Sequence, residues 1–302
     1  MASCDKIVVV MRMTLEDYLF EWVELRAPGL RPRTIGSYTS LIRLHIAPSI
    51  GSRKLAKLKP KHSARMLQGV IDAGHTRTAE LCFVLLRAAL RSAVEQRRIE
   101  WSPMDAVTRP KHDPAETHVW TQAQTRAYCE AIDGDRHQIA WLLAVGLGLR
   151  RGEICGLRWS DIDLRARVLH VRNQRQRLDD GRMIDAKPKS RAGTRTLPLP
   201  RMIYDALRRS YQFGGGYVEP ITPSGLNAAH RRLLRRLDLP YIRLHDLRHT
   251  MVTNALRNGA AMRMISSVIG HSDPALTARV YAHVDDEMIA DTIDAAARAM
   301  VY

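Results

Sequence analysis

Two short stretches near the end of the chain contain side chains that could act together on a phosphate. The first contains His245 and Arg248 within LHDLRHT, three residues apart and therefore on one face of a predicted helix. The second contains His271 and Tyr281 within IGHSDPALTARVYAHV. Arginine binds two phosphate oxygens at once, histidine transfers protons near neutral pH, and a tyrosine oxygen can act as a nucleophile. These residues fit phosphoryl transfer, and they fit equally well a helix that only contacts DNA or RNA.

The order H-x-x-R, then G-H, then Y resembles the C-terminal active-site signature of the tyrosine recombinase (phage integrase) family. Order, spacing and residue chemistry agree together, which makes the match specific. In that family the tyrosine is the nucleophile, so the resemblance implies that Tyr281 attacks the phosphorus. His245, Arg248 and His271 occupy the other positions of the signature.

A second motif lies upstream, in GLGLRRGEICGLRWSDID. It resembles the first active-site box of the same family, G-[LM]-R-x-x-E. The match implies that Arg150 is the first catalytic arginine and that Glu153 is a supporting acidic residue. The adjacent Arg151 is the competing candidate. The family often has threonine before the glycine, where this chain has Leu147, a departure that affects local packing.

A third motif, PKSRAGTRTLPLP, resembles the strand–turn–strand lysine element of the family. Lys189 is the better match and Lys187 is the alternative. A basic turn that touches DNA would explain either lysine without a catalytic role.

The resemblance implies a complete mechanism without a metal or cofactor. Arg150 and Arg248 would neutralise the non-bridging phosphate oxygens. His245 would act as a base or hydrogen-bond the phosphate, and His271 would hydrogen-bond it as well. Lys189 would protonate the departing 5′ oxygen. The 3′-phosphotyrosine bond that forms keeps the energy of the phosphodiester, so rejoining requires neither ATP nor metal.

The composition of the chain indicates a polyanionic partner. The 302 residues carry a net charge of +16, with a pI near 10.2, which favours nucleic acid over an anionic membrane surface. The family resemblance implies that this nucleic acid is double-stranded DNA. The longest apolar run, 139–149, is too short to span a bilayer. The four cysteines are scattered, without metal-site spacing, and indicate reduced thiols in a cytoplasmic protein.

The first hundred residues predict a helical DNA-binding domain. After a frayed or disordered segment at 1–13, a helix is predicted to start at Thr14, with Asp17 completing an approximate capping box. Apolar periodicity and helix-ending residues predict three more helices at about 34–45, 60–73 and 76–98. No Asp or Glu occurs from residue 25 to residue 71, a one-sided charge that favours phosphate contact over a merely soluble surface. We expect DNA contacts from the following residues of this stretch: Arg31, Arg33, Thr34, Arg43, Lys57, Lys59 and Lys61.

The remaining pattern divides the chain into two domains. A core-site DNA-binding domain is predicted at 14–106, a proline-containing linker at 107–119 and a catalytic domain at 120–302. Strand patterns at 166–173 and 195–200 predict a small antiparallel sheet. The fold class is therefore mainly α, with an α+β catalytic domain, arranged as a two-domain clamp around DNA.

Beyond the predicted nucleophile, an apolar stripe recurs along 289–300. It either docks on its own domain or, as the resemblance implies, on a neighbouring protomer of a tetramer.

The sequence thus predicts a site-specific recombinase that integrates or excises a mobile element, with an accessory DNA-bending or directionality factor as a possible partner. A type IB topoisomerase-like enzyme is the first alternative, because it shares the nucleophile and the basic clamp. A non-catalytic DNA-binding module with the same fold is the second.

Overall fold

The computed structural model describes residues 13–113, 118–178, 180–188, 191–211 and 215–270. Of these residues, 13–113 together with 178 and 180 belong to a first compact unit, and the others belong to a second. Within the described ranges, no helix has the length and apolar content needed to cross a membrane. The three cysteines in these ranges, Cys82, Cys129 and Cys155, are free thiols, as predicted.

The first unit begins with helix α1, Leu15–Arg26. The predicted capping box starts this helix: Asp17 N donates to Thr14 Oγ1 at 3.1 Å, and Thr14 N donates to Asp17 Oδ2 at 3.3 Å. Both backbone groups would otherwise lack partners at a helix start.

The second predicted helix differs from the structure in its length and winding. An α-helix, α2, spans Pro32–Leu41, and a π-helix continues over Ile42–Gly51. The sequence pattern predicted one helix at about 34–45, ended by Pro48 and Gly51. Proline clashes with the carbonyl four residues before it in an α-helix, and the wider turn of a π-helix moves that carbonyl away.

Two further helices complete the first unit, and both were predicted. Helix α3 spans Pro60–Asp72 and helix α4 spans Thr76–Glu95. One hydrophobic core joins all these elements, with Leu19, Ile46 and Leu86 fully buried. The first unit is therefore a helical unit with its own core.

The second unit begins at a capping box, which the S/T-x-x-E/Q spacing of Thr121 and Gln124 predicts; Gln124 N donates to Thr121 Oγ1 at 3.2 Å. Its helices surround a core built on α6, whose residues are almost all buried. The helices of this unit are α5 Gln122–Ala131, α6 Gln138–Leu147, α7 Arg151–Gly156, α8 Arg201–Ser210, α9 Pro223–Leu234, α10 Asp246–Arg257 and α11 Met262–Ile269.

Five short strands lie between α7 and α8: β1 Ile162–Asp163, β2 Val168–Val171, β3 Gln174–Arg177, β4 Met183–Ala186 and β5 Arg195–Pro198. The three-stranded sheet has the order β1-β2-β5, all antiparallel, with Leu169 opposite Leu197. The predicted strands at 166–173 and 195–200 therefore pair, as expected.

The hairpin β3–β4 was not predicted and stands between the two predicted strands as a separate two-stranded sheet. Its first strand reads Gln-Arg-Gln-Arg, without the apolar alternation that identifies a half-buried strand. The described residues are otherwise mainly helical with small antiparallel sheets, which confirms the predicted fold class.

Candidate active site

Arg150 and Glu153 lie where α6 ends and α7 begins. Gly148 ends α6 with φ +59°, and a Cβ there would lie 2.5 Å from Met251 Cε, so this turn requires glycine. Arg150 is the N-cap of α7. Its backbone N donates to Glu153 Oε2 at 2.9 Å, and its Nη1 donates to Glu153 Oε1 at 2.8 Å. These contacts favour Arg150 over Arg151 as the arginine of the site.

Glu153 is buried and holds a second arginine, Arg195, which the sequence analysis missed. Arg195 Nη1 and Nη2 donate to the two Glu153 oxygens at 3.2 and 3.0 Å. Burial alone would raise the pKa of Glu153, but the hydrogen bond and charge of Arg195, together with Arg150, lower it. Glu153 therefore stays ionised between two guanidinium groups.

A strand pattern could have revealed Arg195. It begins the strand RTLPLP, and its side chain falls on the same face as Leu197 and Leu199, both buried. An arginine on the buried face of a strand indicates a buried acidic partner, because an unpaired buried charge is costly.

Arg248 lies in the first turn of α10 and is 3% exposed. Its Nη1 donates to the Gly148 carbonyl at 2.5 Å and its Nη2 to the Ile269 carbonyl at 2.6 Å. Arg150 Nη2 donates to the Gly270 carbonyl at 3.3 Å. The two predicted catalytic arginines therefore converge on the end of α11, immediately before His271 in the chain.

Arg195 also reaches this point, since its Nε donates to the Val268 carbonyl at 2.6 Å. Three arginines from separate elements thus satisfy three successive carbonyls, which we call the α11 carbonyls: Val268, Ile269 and Gly270. The last carbonyls of a helix lack partners within the helix, and positive charge is favourable there.

His245 is the N-cap residue of α10, and its ring stands edge-on to that of His249, with the centroids 5.1 Å apart. One side of the residue remains in contact with solvent. Partial burial of the ring, followed by the neighbouring His249 and Arg248, lowers the pKa of His245 to about 4. The imidazole is therefore neutral at neutral pH and can accept a proton.

This pKa predicts how stability changes with pH. Between its ordinary value of 6.5 and about 4, the unfolded chain binds a proton at His245 and the folded chain does not. The free energy of unfolding must therefore fall as the pH is lowered through this window. His245→Gln removes the titrating group, and we expect its melting temperature to fall less steeply with decreasing pH than that of the unaltered protein. Equal slopes in thermal melts would contradict a neutral His245.

The remaining predicted catalytic residues, Lys189, His271 and Tyr281, lie outside the described residues, as does the apolar stripe at 289–300. Lys187, the alternative to Lys189, has an exposed side chain, and its carbonyl accepts a hydrogen bond from Gln174 Nε2 at 3.1 Å. The structure thus brings together Arg150, Glu153, His245 and Arg248 of the predicted set.

In the first unit, six of the seven residues predicted to contact DNA are exposed, and the seventh, Thr34, is half-buried. Arg31 caps the start of α2, and Lys59 caps the start of α3. Arg43 lies over the Phe20 ring, 5.6 Å from its centroid. Six of these seven predicted DNA-contacting residues therefore lie at the surface of the first unit.

A basic pocket, which the sequence analysis did not predict, adjoins Lys61. It has a volume of about 260 Å³, and its charged lining consists of Arg53, Lys61 and Arg65, with His62 beside them. Within the described part of the chain, none of these three cations forms an ion pair with a carboxylate. Lys59 N donates to His62 Nδ1 at 3.1 Å, so the other ring nitrogen carries the proton and can donate.

Comparison with known families matches both units. Residues 121–288, more than half of the chain, match the phage integrase family, and residues 14–70 match the phage integrase N-terminal SAM-like domain. A tyrosine recombinase XerC-like protein of Caldanaerobacter subterraneus subsp. tengcongensis is 25% identical over 311 residues, covering 90% of this chain and 80% of the relative.

Solved structures share the fold at lower identity. The integrase of transposon Tn1549, in complex with a circular intermediate DNA, superposes with a TM-score of 0.78 at 21% identity, covering 92% of this chain and 99% of that one. A lambda integrase, solved as a tetramer bound to a Holliday junction, superposes with a TM-score of 0.70 at 21% identity, covering 89% and 77%.

Proposed function

Because the chain belongs to the phage integrase family, it cuts and rejoins DNA, and we propose that it is a site-specific tyrosine recombinase that integrates or excises a mobile element. The convergence of Arg150 and Arg248 on the α11 carbonyls, next in the chain to His271, is the observation that carries the proposal. A non-catalytic module would not need two arginines held on the residues that come directly before His271 in the chain.

We assign the steps as the family resemblance implies. The Tyr281 oxygen attacks the phosphorus and gives its proton to a base, the role assigned to His245, whose imidazole is unprotonated at neutral pH. The bond from phosphorus to the 5′ oxygen breaks, and that oxygen takes a proton from Lys189. Arg150 and Arg248 neutralise the charge that develops on the non-bridging oxygens. The reverse steps rejoin the strand, and no external energy source is needed.

The experiment that tests this function maps covalent protein–DNA junctions in cells that express the protein. A site-specific recombinase gives adducts at a few discrete positions, and junctions between two different duplexes appear beside them. A topoisomerase-like enzyme gives scattered adducts and no exchanged junctions. Complete absence of adducts would overturn the proposed activity.

We further propose that the first unit is the core-site DNA-binding domain and that the basic pocket holds a backbone phosphate. Its three cations lack carboxylate partners within the described residues, and its volume of about 260 Å³ admits a phosphate group. His62 adds a neutral N–H donor beside them. The pocket therefore offers charge and hydrogen bonding to one anionic group.

Neutralising the pocket should change how DNA binding depends on salt. For the full chain carrying Arg53→Gln, Lys61→Gln and Arg65→Gln, we expect weaker binding to duplex DNA. The slope of log affinity against log salt should fall by at least about 0.9, the value for one phosphate contact. Gel-shift titrations over a salt series measure both quantities.

The chain offers a matched control in the same unit, since three of its other arginines are paired with Glu80 or Glu95. Their replacement removes the same charge from sites that already have a carboxylate. The control substitutions are Arg77→Gln, Arg91→Gln and Arg109→Gln. If the slope of log affinity against log salt falls as much in the control variant as in the pocket variant, the pocket does not bind a phosphate.

The proposed function also includes an oligomeric state on DNA and a location in the cell. The lambda integrase structure is a tetramer on a four-way DNA junction, and a likeness in fold supports a homotetramer of this chain on DNA. We also propose an accessory DNA-bending or directionality factor as a partner of this protein. The predicted cytoplasmic location agrees with a DNA substrate, because the DNA of the bacteria that carry similar proteins lies there.

A further inference from the structure

We propose that Arg195 is a positioning residue for DNA cleavage: through Glu153 it fixes the guanidinium of Arg150, and through the Val268 carbonyl it fixes the end of α11. This inference rests on the proposed function, and it assigns a role to a residue that none of the sequence motifs identified.

The first observation is that Arg195 uses four N–H donors on fixed partners. Two go to the Glu153 carboxylate at 3.2 and 3.0 Å. One goes to the Val268 carbonyl at 2.6 Å and one to the Gly193 carbonyl at 3.0 Å. The side chain is 7% exposed. Because four of its five N–H groups are engaged by these partners, we assign Arg195 a positioning role and not a phosphate contact.

The second observation is that Glu153 depends on Arg195 for half of its hydrogen bonds. Each carboxylate oxygen accepts one bond from Arg150 and one from Arg195. The direction in which Arg150 points is therefore set by a carboxylate that Arg195 holds from the other side. Without Arg195, the carboxylate can rotate toward Arg150 and carry that guanidinium away from the phosphate.

The third observation is that Arg195 joins three elements that each lead to a predicted catalytic group. Strand β5, its own element, begins six residues after Lys189 in the sequence. Glu153 belongs to α7, whose N-cap is Arg150. Val268 lies in the last turn of α11, three residues before His271. A single guanidinium thus sets the mutual placement of these elements.

Gly270 shows how closely the elements meet. It has φ +64°, and a Cβ there would lie 2.6 Å from the Ala192 carbonyl oxygen and 3.0 Å from Arg195 Nη1. The end of α11 therefore packs directly on the turn before β5 and on the Arg195 side chain. Little space is left for Arg195 to move without displacing its partners.

The test compares two DNA substrates for Arg195→Lys, which keeps the charge but cannot reach all four acceptors. The substrates are nicked duplexes that span a mapped junction. In one, the attacked phosphate is natural; in the other, a methyl group replaces one non-bridging oxygen and removes the negative charge. We expect adduct formation to fall by at least about tenfold on the natural phosphate and by less than about threefold on the methylphosphonate.

The comparison separates positioning from a structural role. If Arg195 acts through Arg150, its loss matters only where there is phosphate charge for Arg150 to neutralise. A variant that is merely less folded loses the same factor on both substrates, and equal losses would overturn the inference. Affinity for the uncleaved duplex should stay within about twofold of the unaltered protein. The matched control is Arg201→Lys, because Arg201 is highly exposed at the start of α8.

A second variant and the result for the unaltered protein complete the test. If Arg195→Lys does not fold, the double variant Arg195→Gln, Glu153→Gln avoids a buried unpaired charge, and the same difference between substrates is expected. If the unaltered protein forms no adduct on the natural duplex, the proposed function fails. If it does form the adduct and Arg195→Lys cleaves at the unaltered rate, only the positioning role fails.

Discussion

Tyr281→Phe is expected to abolish the covalent protein–DNA adduct. The substitution removes the oxygen that attacks the phosphorus and keeps the ring, so the fold and the DNA contacts are retained. Losing a nucleophile that acts as part of a catalytic unit lowers the rate by at least about a thousandfold. Adducts trapped on a nicked duplex and resolved by denaturing electrophoresis measure the effect, and a gel shift on the same duplex should be nearly unchanged.

Tyr241 provides the control, because it is an exposed tyrosine of the same unit, 58% accessible, shortly before α10. Tyr241→Phe removes one hydroxyl from the surface and should form adducts at the unaltered rate. Adducts that persist in Tyr281→Phe and disappear in Tyr241→Phe would reassign the nucleophile to Tyr241.

Arg248→Lys is expected to lower the cleavage rate by about a hundredfold, or about 2.7 kcal/mol of transition-state stabilisation. Arg248 spans the Gly148 and Ile269 carbonyls with two nitrogens. A single ammonium cannot reach both carbonyls and still offer two parallel donors to the phosphate. Lysine retains the positive charge, so the loss of cleavage rate measures the contribution of the guanidinium geometry. Single-turnover adduct formation gives the rate.

Arg257→Lys is the companion variant, since Arg257 lies in the same helix, α10, with an exposed side chain. We expect it to cleave within about twofold of the unaltered protein, as surface substitutions usually do. Cleavage by Arg248→Lys at the same rate as by Arg257→Lys would rule out a bidentate role for Arg248.

The sequence was most informative where chemistry is local in the chain. The capping boxes at Thr14 and Thr121 depend on residues three apart, and both are present. Arg150 and Glu153 also stand three apart and contact each other directly. Short-range contacts of this kind follow from helix geometry, so spacing alone predicts them.

The sequence was least informative where a residue contacts another residue that is distant in the chain. Arg195 and Glu153 are 42 positions apart, and their pairing depends on strand β5 lying beside α7. Nor did periodicity identify strand β3, since its side chains are all polar. Turn preference at Pro48 predicted a helix end, whereas packing of Ile46 and Ile50 into the core accompanies a π-helix there. Tertiary packing decided each of these cases.

The α11 carbonyls place a constraint on the number of residues in this part of the chain. Successive residues of a helix point about 100° apart around its axis. A one-residue insertion or deletion within α11 would therefore turn Val268, Ile269 and Gly270 away from their three arginines together. It would also shift every residue that follows Gly270 by one position in the sequence relative to the three arginines. Among relatives of this chain, exposed positions such as Arg263 and Met264 can vary freely in type, but the length of α11 should be invariant.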